Sequence, residues 1–296
     1  AGGGTGGSAG GGMADAGMDA GVDAGQDAGQ DAGTDAGIDA GPADYSGTYT
    51  ARLNGAQELP PSGSAAEGTA TVTLTRNASD YSVSVSGTHS VTGSNLSAHL
   101  HTAIGGLSGN VEVSLNVTAQ IALVPGTVGT LVAQTITNQV AQEIGLGRAY
   151  VNIHSQGFSG GEIRGQVLPS GAGLMTALLS GADQVPANGY PAGVAALQLV
   201  LRPDAGLGLY TGLWPQDVDA VAAHIHQGGP GASTASPFVN FTVNGDGHGA
   251  TGTIDIGPSS AFVTGNTDGG IYVNVHTSDA GSGLLRGQLI QVLAPN

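Results

Sequence analysis

The chain has 296 residues, 54 of them Gly, and only 9 % of its residues are charged, against about 7 % Gly and about 25 % charged in an average globular protein. Its 22 acids and six basic residues, all Arg, give a net charge of −16, which leaves no basic stripe for nucleic acid or for an anionic membrane surface. The lack of Cys excludes disulfides and thiolate metal or redox sites, and no apolar run reaches the roughly 18 residues that a membrane-spanning helix needs.

The charge is uneven. Residues 1–44 hold eight Asp and no base, residues 45–168 carry −2 and residues 174–296 carry −6. The first stretch opens with a Gly-rich run and continues as an x-Asp-Ala-Gly repeat in the units that begin at Met18, Val22, Gln26, Gln30, Thr34 and Ile38. Gly at every fourth position disfavours a helix by about 1 kcal/mol each, and little apolar surface is available to bury. Residues 1–44 therefore read as a low-complexity acidic arm. Such repeats resemble the spacers of lipid-anchored bacterial surface proteins. Together with a start at Ala1 rather than Met, they lead us to expect an exported bacterial protein, secreted or on the cell surface. The arm is expected to support self-association by docking on a neighbouring subunit as an added strand, as in a fibre or filament.

Beyond the arm the chain is one unit written twice. YTARLNGAQELPP (49–61) matches MTALLSGADQVPA (175–187), and SAHLH (97–101) matches AAHIH (222–226). AYVNIHS (149–155) matches IYVNVHT (271–277), and GEIRGQVL (161–168) matches GLLRGQLI (283–290). Four blocks in one order mark a duplicated unit of about 120 residues, too long for a solenoid repeat. The expected boundaries are 45–168 and 174–296, with 169–173 as a linker. Within a copy the period is two: Thr69–Thr75, Tyr81–Ser86 and Val111–Val117 alternate small polar with apolar residues, as half-buried antiparallel strands do. The expected fold is all-β, two tandem antiparallel Greek-key sandwiches. One short helix is expected over Asn138–Gly147, ended by Gly. Its counterpart over 259–270 carries no helical signal. With few aromatic residues, the cores must be built from Val, Leu, Ile and Ala.

Six of the eight His fall in the repeated blocks: His99, His101 and His154, then His224, His226 and His276. Residues i and i+2 of a strand face the same side, so each H-x-H pair projects together. Two imidazoles from one strand and a third from a later strand suit copper first and zinc second. The competing reading is that they bond loops in place. Arg164 with Glu162 reads as a same-face ion pair. Four sequons, at Asn77, Asn95, Asn116 and Asn240, would carry glycans in a glycosylating host and should sit on exposed turns or strand edges.

The blocks L-x-G-A-x-x-x-P, A-H-x-H, Y-V-N-x-H-[ST] and G-x-x-R-G-Q, in that order, resemble the CHRD domain, named after chordin. The resemblance implies a secreted or surface module without established catalysis. The order L-x-G, H-x-H, late His and Gly-rich closing strand is similar to that of copper–zinc superoxide dismutases. There the matching His are copper ligands, which here implies His99, His101 and His154, then His224, His226 and His276. The chain departs from that pattern: it lacks the bridging His, the zinc cluster and the Cys pair, and the active-site Arg falls near Glu162 and Leu284. The reading is a non-catalytic extracellular structural module. The alternatives are a protein with one three-His copper or zinc site per copy and, behind that, a dismutase-like redox enzyme.

Overall fold

The computed structural model describes residues 43–121, 124–191, 195–233, 236–257 and 269–295. The arm's repeats and most of 259–270 lie outside them, so the docking expected of the arm is not addressed.

The first copy contains β1 (Gly47–Asn54), β2 (Glu67–Arg76), β3 (Tyr81–His89), β4 (Ser97–Thr102), β5 (Asn110–Val117), β6 (Gly126–Gly129), β7 (Gln134–Ile136), a helix α1 (Asn138–Gly145), β8 (Ala149–Ser155) and β9 (Phe158–Pro169). The Thr/Val alternation of β2 produces its burial: Ala70, Val72 and Leu74 point into the core and the intervening Thr point out. The sheet runs β2-β1-β9-β8-β4-β5-β6-β3, and β3 also pairs with β2, which closes the ring. All neighbours are antiparallel. Because β3 borders β6 and not β4, the connection between β3 and β4 crosses over in Greek-key fashion. The result is a flattened barrel, in effect a sandwich with joined edges.

The helix forms where the sequence places it. Thr137 caps its N-terminus by accepting from Val140 N at 3.3 Å. Gly147, beyond the last turn, has φ +72°. The core holds Val72, Val83, Leu100, Val151, Ile153 and Ile163, all fully buried, as expected of a chain poor in aromatics.

The second copy contains β10 (Gly173–Leu179), β11 (Ala195–Arg202), β12 (Leu207–Leu213), β13 (Ala220–Gln227), β14 (Pro237–Phe241), β15 (Gly249–Asp255), β16 (Ile271–Thr277), β17 (Ala280–Gln288) and β18 (Ile290–Leu293). They form a five-stranded sheet β15-β12-β11-β10-β18 and a four-stranded sheet β14-β13-β16-β17. The bridges Ser180↔Arg286 and Val243↔Ala250 tie the two sheets at their edges. The fold is therefore all-β over two tandem copies, as the period-two patterning predicts.

Three residues, 170–172, connect β9 to β10. Leu168 and Ala172 pack with Leu174, Val200 and Leu293 in a small shared core. The Gln198 side chain accepts from Gly105 N at 2.8 Å and donates to Gly147 O at 3.0 Å. The second copy thus holds two loops of the first.

Candidate metal centre

The three His of the first copy come together because of strand register. In β4, Ala98 and Leu100 enter the core, so His99 and His101 face the other side. β8 pairs alongside with Ser97↔His154, His99↔Asn152 and His101↔Tyr150. Its core residues are Val151 and Ile153, so Tyr150, Asn152 and His154 share the face of the histidines. The same holds in the second copy, where β13 pairs with β16 through Ala222↔His276, His224↔Asn274 and His226↔Tyr272.

In each triad, one ligand nitrogen per residue lies within 4.8 Å of the other two. Three nitrogens around an ion at about 2.0 Å stand roughly 3.3–3.5 Å apart, so modest side-chain rotation suffices to close on a metal. The ring centroids of His99 are 5.5 Å from His101 and 5.2 Å from His154. The corresponding distances from His224 are 5.8 Å to His226 and 5.0 Å to His276. Among the described residues these are the groups able to hold a metal ion.

Three of the six tautomers are fixed from behind. Nδ1 of His101 meets Gly109 O, Nδ1 of His154 meets Ser159 O and Nδ1 of His276 meets Gly281 O, each at 3.0 Å. A carbonyl only accepts, so Nδ1 carries the proton and Nε2 offers its lone pair. Nδ1 of His99 and of His224, and Nε2 of His154 and of His276, are buried without a hydrogen-bond partner. Burial, reinforced by the two neighbouring imidazoles, lowers the pKa of His99 and of His224. Burial also lowers that of His101, against the Gly109 carbonyl and the Asn152 side chain. These three rings are neutral at pH 7, the form in which imidazole ligates.

The remaining repeated motifs surround the triads. Tyr150 stacks on His101 at 4.6 Å and 3°, and Tyr272 on His226 at 5.0 Å and 6°. Arg164 lies 3.4 Å from the centroid of the Tyr150 ring, and Arg286 lies 3.6 Å from that of Tyr272. Since β4 and β9 flank β8 on opposite sides, the tyrosine ring is sandwiched between imidazole and guanidinium. Arg164 also donates to Leu107 O at 2.8 Å and Arg286 to Gly229 O at 3.1 Å. Gln166 donates to Ala103 O and Gly147 O. Its counterpart Gln288 donates to Gly228 O and Gly269 O. The R-G-Q motif therefore anchors the loops beside the histidines.

The ion pair expected between Arg164 and Glu162 is replaced by this stack. Glu162 instead accepts from Ser64 at 2.9 Å and from Ser155. Leu284 occupies the matching position in the second copy, so a carboxylate there was never part of the repeated design. Sequence reasoning missed Tyr150, Tyr272 and the two Arg as neighbours of the triads. The signal was their recurrence in the same blocks as the His. His89 and His248 stand apart from both triads: His89 Nδ1 accepts from Val91 N at 3.1 Å, and His248 faces Asp219 at 3.9 Å. All four sequon Asn are exposed, as expected.

The CHRD-domain model matches residues 49–167 and 175–289, and the chain belongs to that family. It carries two CHRD domains in tandem, and the triads sit at the same place in each. No curated protein matches the chain. Among the described residues, no helix is long and apolar enough to cross a membrane.

Proposed function

We propose that the protein is an exported, non-catalytic module that holds one copper ion per CHRD domain on His99, His101 and His154 and on His224, His226 and His276, with zinc the second choice. The observation that carries this reading is the recurrence, in both domains, of three convergent imidazoles, with the tautomers of His101, His154 and His276 set from behind by backbone carbonyls. All-imidazole donor sets suit copper and zinc and give hard oxygen-seeking cations nothing to bind. His that merely tied loops together would turn both ring nitrogens to such work, whereas here one nitrogen per ring faces its neighbours.

Titration of the apoprotein with Cu²⁺, followed by its d–d absorption and by equilibrium dialysis, is expected to saturate at two equivalents. The variant with His101→Ala and His226→Ala is expected to lose at least tenfold in affinity at both sites. A variant that binds as much copper as the parent overturns the reading.

Extracellular placement and self-association through the acidic arm are part of the proposal on sequence grounds. Deletion of residues 1–44 is expected to abolish any filaments or multimers seen by electron microscopy, and unchanged assembly would remove the arm from the proposal.

A further inference from the structure

The buried arginines invite a question that folding does not answer. Arg164 is 3 % exposed and Arg286 2 % exposed. Among the described residues, no carboxylate lies within ion-pair distance of either; Glu58 acts on Arg164, and Asp183 on Arg286, only from further away. A buried cation without such a partner is costly, and an apolar side chain in its place is often neutral or stabilising. Yet the guanidinium recurs in both domains, and each time its immediate partner is the face of the tyrosine that stacks on a triad histidine. Carbonyl oxygens of Leu107 and Gly229 fix each guanidinium in place. Burial lowers the pKa of both arginines, but a guanidinium stays charged at any physiological pH.

We infer that Arg164 and Arg286 are positioning residues that tune their metal centres electrostatically, biasing each triad toward monovalent over divalent copper. The inference rests on the metal-site reading above. Three neutral imidazoles leave the full charge of the ion uncompensated. A fixed positive charge one ring's thickness behind a ligand repels Cu²⁺ twice as strongly as Cu⁺. The low-polarity layer of buried tyrosine and loop backbone screens this repulsion little. The stacked tyrosine keeps the cation from approaching the metal while transmitting its field, and holds the His101 and His226 rings in plane.

The test compares two affinities in the full chain: Cu⁺ under ascorbate against a chromophoric chelator, and Cu²⁺ against glycine. Arg164→Gln is expected to lower the ratio of Cu⁺ to Cu²⁺ affinity at the first site by about tenfold, which for one electron corresponds to about 59 mV. The second site, untouched in the same molecule, serves as reference, and Arg286→Gln should reverse the pattern. Arg164→Lys, which keeps the charge, is expected to keep the ratio near the parent value. It also serves, with Arg286→Gln, if Arg164→Gln does not fold. A role confined to packing would weaken both affinities together and leave the ratio fixed, and that result overturns the inference while leaving the metal site standing. A parent protein that binds neither ion overturns the metal-site reading and this inference with it.

Discussion

Gly165→Ala is expected to destabilise the first domain by roughly 3 kcal/mol or more. Strand β1 runs across β9 there, and a Cβ on Gly165 would stand 2.5 Å from the carbonyl oxygen of Arg52. The obstacle is backbone in a paired strand, not the end of a flexible side chain, so relief requires the strands to part. β1 and β9 are joined by Tyr49↔Pro169, Thr50↔Leu168, Ala51↔Val167 and Asn54↔Arg164, and parting them opens the ring. Gly165 lies against Arg52 and Leu53, in the middle of that ladder. Gly287 is the counterpart in the second domain, where a Cβ would come closer still to Leu178 O. The shift in urea midpoint of either single variant measures the effect. A loss below about 1 kcal/mol at both positions would mean that the strands separate cheaply.

The second large effect concerns Glu58. Its side chain is 5 % exposed, its Oε1 is buried without a hydrogen bond, and a Cβ on Gly161 would lie 2.5 Å from both carboxylate oxygens. Gly161 has φ +129° and leaves the space that the carboxyl fills. Burial raises the pKa of Glu58 from 4.5 to about 7, against the pull of Arg164. A raised carboxyl pKa means that the folded state holds a proton the unfolded state releases. That contribution is fully present below about pH 4.5 and is lost as the pH rises through about 7. At about 1.4 kcal/mol per unit, the loss is at most about 3.5 kcal/mol well above neutrality.

The second domain has already made the obvious substitution. Gln184 stands where Glu58 does, and its Nε2 donates to Asn274 Oδ1 at 2.5 Å. Asn152, the counterpart of Asn274, has its Oδ1 buried without a hydrogen bond of ordinary geometry. Glu58→Gln removes the charge that burial penalises and supplies the missing donor. It is expected to stabilise the protein by about 1–3 kcal/mol at pH 8 and by little at pH 4.5. Denaturant midpoints of parent and variant at the two pH values check this. Taking the difference cancels the opposite trend of the buried histidines, whose lowered pKa values favour the fold as pH rises. An equal gain at both pH values would show that Glu58 is ionised throughout.

The strands were legible because Thr and Val alternate plainly in β2, and the helix because Thr137 and Gly147 bracket it. The histidine triads were legible too, since a period of two places i and i+2 on one face and the duplication supplied a control. What escaped is everything that depends on which strand lies beside which. The two residues Gln156-Gly157 between β8 and β9 suit a hairpin, but its register and the face that Arg164 shares with Tyr150 cannot be read locally, so the sequence pairs Arg164 with its chain neighbour Glu162. Nor does a local pattern announce that Glu58 is buried against Gly161 of β9: Glu-Leu-Pro-Pro reads as an exposed turn. The gap between the two domains' charges at that point, Glu58 against Gln184, was visible, but its meaning required knowing that both are buried.

Gln198 gives the tandem arrangement a further meaning. It grips Gly105 N and Gly147 O of the first domain from a strand of the second, and Gly147 O is also held by Gln166 at 3.0 Å. The segment 103–109 that Gly105 belongs to supplies the carbonyls of Leu107 and Gly109 to Arg164 and His101. A loop of the first site is thus held by one residue, Gln198, 93 positions from Gly105 in sequence, and the seam between the domains is a wall of that site. A fragment ending near residue 168 would leave Gly105 N and one side of the loop to water, and its metal affinity would report on a looser pocket. The dependence runs one way in this contact, so the second domain is the one to isolate first.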